Sequence, residues 1–171
     1  MKPIIGVIAR PNGSSTKRDV FYINKEINDA IVRNGGIAVI ILPPILEKLF
    51  GKSIENTSKL NAAQLDDIKR QIDLCDGIIC PGGDDFYDYD LRIIEYCYQK
   101  DKPLLGICLG MQAISCLFNG KMLDFNNLYH KSEDSYVHKV KLYKNSKLYK
   151  ILQKENIEVN SRHKSLLLLQ I

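Results

Sequence analysis

The stretch Pro103-Leu104-Leu105-Gly106-Ile107-Cys108-Leu109-Gly110-Met111-Gln112 is the one best suited to covalent chemistry. An apolar run leads into Gly-x-Cys-x-Gly, and a second apolar segment follows. That is the layout of a nucleophile elbow: a strand, a sharp turn carrying the nucleophile, then a helix. Gly106 and Gly110 allow the tight turn and leave room for a substrate to approach. The Cys108 sulfur would sit at a helix N-terminus, where the dipole and unpaired N–H groups favour a thiolate and nucleophilic catalysis. The plainer alternative is a buried cysteine in a strand–helix turn, since free cysteines are common core residues.

A second motif, Pro81-Gly82-Gly83-Asp84-Asp85, precedes the elbow by about one helix. A glycine pair after a strand end frees backbone N–H groups to face a ligand. Alone, it would read as a plain turn.

The elements that must position these motifs follow from hydrophobic patterning. Ile4 to Ala9 is an apolar run that suits a strand buried on both faces. Arg10 to Arg18 reads as a loop. Val20, Ile23, Ile27, Ala30 and Ile31 keep helical spacing, and Gly35-Gly36 ends that helix. Ile37 to Leu42 is a second buried strand, stopped by Pro43-Pro44. Leu46 to Phe50 is expected to form a short helical turn. Ala62 to Leu74 is a helix with Leu65, Ile68 and Ile72 on one stripe. Ile78 to Cys80 is a third strand. Tyr89 to Gln99 is a helix with Leu91, Ile94 and Tyr98 facing inward, Leu104 to Ile107 a fourth strand, and Met111 to Phe118 a helix. This alternation implies a parallel sheet with helices on both faces. Ligands of such sheets bind beyond the carboxyl ends of the strands, where Gly82-Gly83 and Cys108 could converge.

After Gly120 the pattern changes. Lys121 to Phe125 is a short strand, and Asn126 to Ser135 a polar loop. Val137 to Tyr143 alternates like a half-exposed strand. Ser146 can cap a short helix through Leu152, and Ile157 to Val159 is another strand.

The chain has 171 residues, enough for one domain over 1–171 with a real core. The net charge is +4, with the excess in lysines scattered through Lys139 to Lys154. A solvated lysine-rich face explains them, and no nucleic-acid partner is expected. The five cysteines form no CxxC pair. Cys75, Cys80, Cys97 and Cys116 fall in apolar segments and read as core. These features predict a reducing, cytoplasmic setting. None of the three histidines stands at ligand spacing from a cysteine, so no metal is expected. Neither G-x-G-x-x-G nor a P-loop pattern occurs, and no other cofactor is implied. No apolar run approaches a membrane span, and there is no signal-peptide pattern.

These motifs together resemble the class I glutamine amidotransferase-like cysteine hydrolases, and most of all the γ-glutamyl-γ-aminobutyrate hydrolase (peptidase C26-type) branch. The residues that carry the likeness run from Lys2-Pro3-Ile4-Ile5-Gly6-Val7 through Asp76-Gly77-Ile78-Ile79, Pro81 to Asp85 and the Cys108 elbow to His138 and Val159-Asn160-Ser161-Arg162-His163. The resemblance implies a flavodoxin-like three-layer α/β/α sandwich around a mainly parallel sheet. It implies that Cys108 attacks a γ-glutamyl amide to form a thioester that water hydrolyses. The backbone N–H groups of Leu109 and Gly83 would be the oxyanion donors, with Gly82 shaping the turn. Gln112, Ser161, Arg162 and His163 would line the pocket for a small-molecule γ-glutamyl substrate.

The sequence departs from that branch at three places. Leu109 stands where the branch usually has arginine, and leucine is common there in amidotransferases that serve a synthase. Lys164 and Ser165 replace a usual His-Gln. The family's catalytic His and Glu lie on a later strand in a His-Pro-Glu-like motif that these 171 residues do not contain. His130, His138 and His163 are the only substitutes. The expectation is a C-terminally truncated member lacking the last strands and helix, with an uncovered sheet edge and apolar surface that would allow a homodimer. Three functional readings follow: a γ-glutamyl amide hydrolase, a glutaminase subunit passing ammonia to a synthase partner, and a non-catalytic remnant.

Overall fold

A computed structural model of the chain describes residues 1–13, 18–124, 138–160 and 165–168. They gather into two compact units, one over Met1–Lys121 and one over Met122–Leu168.

The first unit is built on four parallel strands: β1 (Ile4–Ile8), β4 (Ile37–Ile41), β5 (Gly77–Cys80) and β6 (Leu104–Gly106), in the order β4-β1-β5-β6. Counting only these parallel strands along the chain, the order is 2-1-3-4, the flavodoxin-like arrangement. The helices are α1 (Lys25–Arg33), α2 (Ala62–Asp73), α3 (Asp88–Gln99) and α4 (Leu109–Leu117). Gly6, Ile78 and Leu104 are in register and share one face of the sheet with Ile8, Ile41 and Cys80. That face holds the main core, against Ile68 and Ile72 of α2, Ile93, Ile94 and Cys97 of α3, and Ala113 of α4.

The other face carries Ile5, Val7, Ile40, Ile79 and Leu105. It is covered less completely: Ile40 remains 47% exposed and Leu105 56%. The second strand, β4, is therefore not buried on both faces, because it lies at a sheet edge.

Local chemistry bounds two of these helices. Asn61 and Gln64 form a capping box at the start of α2, with the Asn61 side chain accepting from Gln64 N at 3.0 Å and the Gln64 side chain accepting from Asn61 N at 2.9 Å. Gly35, at φ +81°, closes α1, and Gly36 N donates back to the Ile31 carbonyl at 2.9 Å.

Several sequence expectations need correction. Arg10 is not in a loop: β2 (Arg10–Gly13) pairs antiparallel with β3 (Asp19–Tyr22), Arg10 opposite Tyr22. The hairpin takes Val20 out of the expected helix, which begins only at Lys25. Pro11 is tolerated because this two-stranded ribbon leaves it on an edge. The helical turn expected at Leu46 to Phe50 does not form; a single 3-10 turn occurs at Ile54–Asn56. In α3 the inward stripe is Asp90, Ile93, Ile94 and Cys97, while Tyr98 is 68% exposed. Tyr98 sits one position past Cys97 and so turns about 100° off the stripe.

After α4, β7 (Lys121–Asp124) pairs with β10 (Ser165–Leu168), and in the second unit β8 (His138–Lys141) pairs antiparallel with β9 (Asn156–Val159). Between β8 and β9 lies α5 (Lys147–Leu152), capped by Ser146 Oγ, which accepts from Tyr149 N at 3.1 Å. No helix among the described residues is long and apolar enough to cross a membrane.

Candidate active site

Cys108 stands between the end of β6 and the first residue of α4, exposed, as the N-cap of that helix. Its backbone is at φ 51° and ψ −108°. A side-chain-bearing residue rarely adopts this conformation, and such strain costs on the order of 1–3 kcal/mol. The turn is held by Ile107 N donating to the Cys80 carbonyl at 2.9 Å, Gly110 N to the Ile107 carbonyl at 3.0 Å and Gln112 N to the Cys108 carbonyl at 3.1 Å.

The two flanking glycines serve contact rather than turn geometry. Neither is among the glycines with positive φ; Cys108 itself takes the strained conformation. A Cβ on Gly106 would lie 2.6 Å from Met111 N, and one on Gly110 would lie 2.1 Å from the Cys80 carbonyl oxygen. The first turn of α4 thus rests directly on the ends of β5 and β6. Only glycine lets backbone approach backbone so closely.

The Pro-Gly-Gly segment emerges from β5, the strand beside β6. A Cβ on Gly82 would lie 3.5 Å from the Cys108 Cβ, and one on Gly83 would lie 3.2 Å from Leu109 Cδ2. The fold therefore brings Gly82 and Gly83 against Cys108 and Leu109. Gln112 is one turn further along α4 on the same side as Cys108 and is buried. Ser161, Arg162 and His163 lie outside the described residues, as do His130 and the Asn126 to Ser135 segment. His138 opens β8, as its placement at the start of a strand anticipated, opposite Val159 in the second unit.

One participant was not anticipated. Arg10, 3% exposed, directs Nη1 at both carboxylate oxygens of Asp90, at 2.8 Å each, and Nη2 at the Pro81 carbonyl at 3.0 Å. Asp90 Oδ2 also accepts from Tyr87 N at 2.8 Å. Burial by itself would lower the Arg10 pKa, but the charge and hydrogen bond of Asp90, together with Tyr89 and Cys80, hold it above its ordinary value. The usable sequence signal was Asp90 itself, a carboxylate on the apolar stripe of α3.

Two cavities bear on the site. One of about 310 Å³ is lined by Arg10, Asn12, Tyr22, Gly83, Asp84 and Asp85, among others. It lies at the carboxyl ends of the strands, where ligands bind in such sheets. A larger apolar one, about 470 Å³, opens at the amino ends, against Pro3, Gly77 and Pro103. Cys108 does not line it, and size alone does not make it the site. Among the described residues, no group of three or more His, Cys, Asp or Glu side chains could hold a metal ion.

The remaining thiols are packing groups. Cys75, Cys80 and Cys97 are buried and Cys116 is half-buried. Burial raises the pKa of each, that of Cys97 to about 11.

A doubly wound sheet with a cysteine on a strained strand–helix elbow defines a class of α/β proteins with a nucleophile-elbow thiol. Comparison narrows it. Residues 87–167 match the Peptidase C26 family. A glutamine amidotransferase-like protein of Rickettsia prowazekii is 30% identical over 148 residues, covering 71% of this chain and 46% of that protein. CTP synthase of Chlamydia trachomatis is 33% identical over 86 residues, 47% of this chain and 16% of the synthase. The crystal structure of a glutamine amidotransferase from Thermotoga maritima superposes with a TM-score of 0.60 at 16% identity, over 99% of this chain and 64% of that one. The sequence likenesses support the class I glutamine amidotransferase-like superfamily. The chain spans about half the length of the Rickettsia relative.

Proposed function

We propose that this chain carries the cysteine half of a γ-glutamyl amide-cleaving site. The observation that carries the reading is the exposed Cys108 on its strained elbow, with Gly82 packed against it. In this reading the Cys108 thiolate adds to the γ-carbonyl carbon of the substrate. The carbonyl π electrons move to oxygen, and the N–H groups of Gly83 and Leu109 receive that oxyanion. The first N–H groups of a helix lack intrahelical acceptors, which leaves that of Leu109 available. Collapse of the oxyanion expels the amine, which takes up a proton, and leaves a γ-glutamyl thioester. Water then adds to the thioester, releasing glutamate and the thiol. Gln112 would line the γ-glutamyl pocket. No described residue is given the part of general base.

A second reading keeps the same half-reaction with glutamine as the amide and ammonia passed to a synthase partner. Leu109 in place of arginine favours it, as does the likeness to CTP synthase over 86 residues. The test compares hydrolysis of γ-glutamyl-γ-aminobutyrate with that of glutamine, on the native protein and on Cys108→Ala, alongside labelling by a glutamine-analogue chloroketone. The reading expects chloroketone to modify Cys108 faster than it modifies free cysteine, and any hydrolysis to vanish in Cys108→Ala. Labelling no faster than free cysteine would remove both enzyme readings and leave the non-catalytic remnant.

A further inference from the structure

Arg10 is a charged side chain buried at the carboxyl end of β1, and the chemistry above leaves it without a role. Its guanidinium spans three elements. Nη1 pairs with Asp90 at the start of α3, Nη2 holds the Pro81 carbonyl at the end of β5, and the Arg10 backbone belongs to the hairpin strand β2. The side-chain stem also packs on the next turn of the loop: a Cβ on Gly83 would be 3.2 Å from Arg10 Cδ and 3.2 Å from Leu109 Cδ2. Gly83 is thus wedged between Arg10 and the residue that follows Cys108.

We propose that Arg10 is a positioning residue that sets the Pro81-Gly82-Gly83 loop against Cys108. It rests on the reading that Gly83 N–H meets the oxyanion at Cys108. Holding the Pro81 carbonyl fixes the plane of the peptide entering Gly82. The Arg10 stem sets how far Gly83 can retreat from Leu109. Asp90 makes this possible by anchoring the guanidinium, and Tyr87 N anchors Asp90 in turn. Lysine could reach either Asp90 or Pro81 but lacks the planar fork that serves both. A pair needed only for stability would be replaceable by apolar residues of similar volume, which is often neutral for buried ion pairs.

The experiment uses Arg10→Lys and the double variant Arg10→Met with Asp90→Leu, which leaves no buried charge unpaired. Circular dichroism and thermal melting establish that each is folded. Two rates are measured at Cys108 in every protein: alkylation by iodoacetamide, which needs no oxyanion donors, and modification by the glutamine-analogue chloroketone. The proposal expects the chloroketone-to-iodoacetamide rate ratio to fall at least tenfold in the double variant, with Arg10→Lys between it and the native protein, and iodoacetamide rates within about twofold throughout. A folded double variant with the native ratio overturns the positioning role while leaving the catalytic reading intact. A native protein with no chloroketone preference overturns the catalytic reading, and the role of Arg10 falls with it.

Discussion

Gly110 lies against the end of β5 so closely that a Cβ would stand 2.1 Å from the Cys80 carbonyl oxygen and 2.7 Å from the carbonyl carbon. The obstacle is backbone, which cannot rotate aside. Gly110→Ala must therefore lift the start of α4 off the sheet, and with it Cys108. The expected loss is about 3 kcal/mol, at the upper end for overpacking. Gly35→Ala is the control. Nothing lies within 4 Å of a Cβ there, but φ is +81°. Its cost is conformational only, about 1–2 kcal/mol. Denaturant unfolding of both variants checks the order, and Gly110→Ala alone should alter the labelling rate of Cys108.

The cysteines should separate by accessibility. At neutral pH iodoacetamide is expected to modify Cys108 first and Cys116, half-buried, more slowly. Cys75, Cys80 and Cys97 are buried, and burial raises their pKa values. They should be protected on the order of a hundredfold until the chain opens. Peptide mass mapping over a time course reads this directly. Early modification of Cys80 or Cys97 would contradict the packing around α3.

Alkali should destabilise the fold through those same thiols. Burial pushes the Cys97 thiol up to about 11 from an ordinary 9.0. Between those values the unfolded chain releases a proton that the folded chain keeps. Stability is then fully present below pH 9 and falls as pH rises toward 11, by up to about 3 kcal/mol for this group. Cys75, Cys80, Tyr87 and Tyr89 are raised by burial too, so they add in the same direction. Melting temperature measured from pH 7 to pH 11 should drop through the window, and Cys97→Ala should flatten the slope.

Much of the site was legible because it depends on local spacing. The elbow at Cys108 and the glycines at 82 and 83 follow strand ends that apolar runs reveal, and parallel pairing makes those ends neighbours. Arg10 was not legible for the opposite reason. Its partner Asp90 is 80 residues away, and no periodicity joins them. Val20 misled because its spacing to Ile23 and Ile27 fits a helix, while pairing of Arg10 with Tyr22 across the hairpin prevails. The exposure of Ile40 is likewise a property of sheet order: an apolar strand reads the same whether it lies in the middle or at the edge.

The conformation of Cys108 yields a prediction that separates strain from chemistry. At φ 51° and ψ −108° any residue with a Cβ is strained, whereas glycine visits positive φ freely. Cys108→Ala removes the thiol and keeps the strain. Cys108→Gly removes both. Glycine also has more backbone entropy to lose on folding, about 0.5–1 kcal/mol relative to alanine. If strain lies in the middle of its usual range, about 2 kcal/mol, the glycine variant should be the more stable by about 1 kcal/mol. Denaturant midpoints of the two variants give the difference without reference to the native protein, so the loss of sulfur packing cancels. A site kept for thiol chemistry should show this sign, because the fold would be better off without a side chain at the elbow. An alanine variant more stable by about 0.5–1 kcal/mol, the backbone-entropy difference alone, would mean that the turn at Cys108 stores no strain.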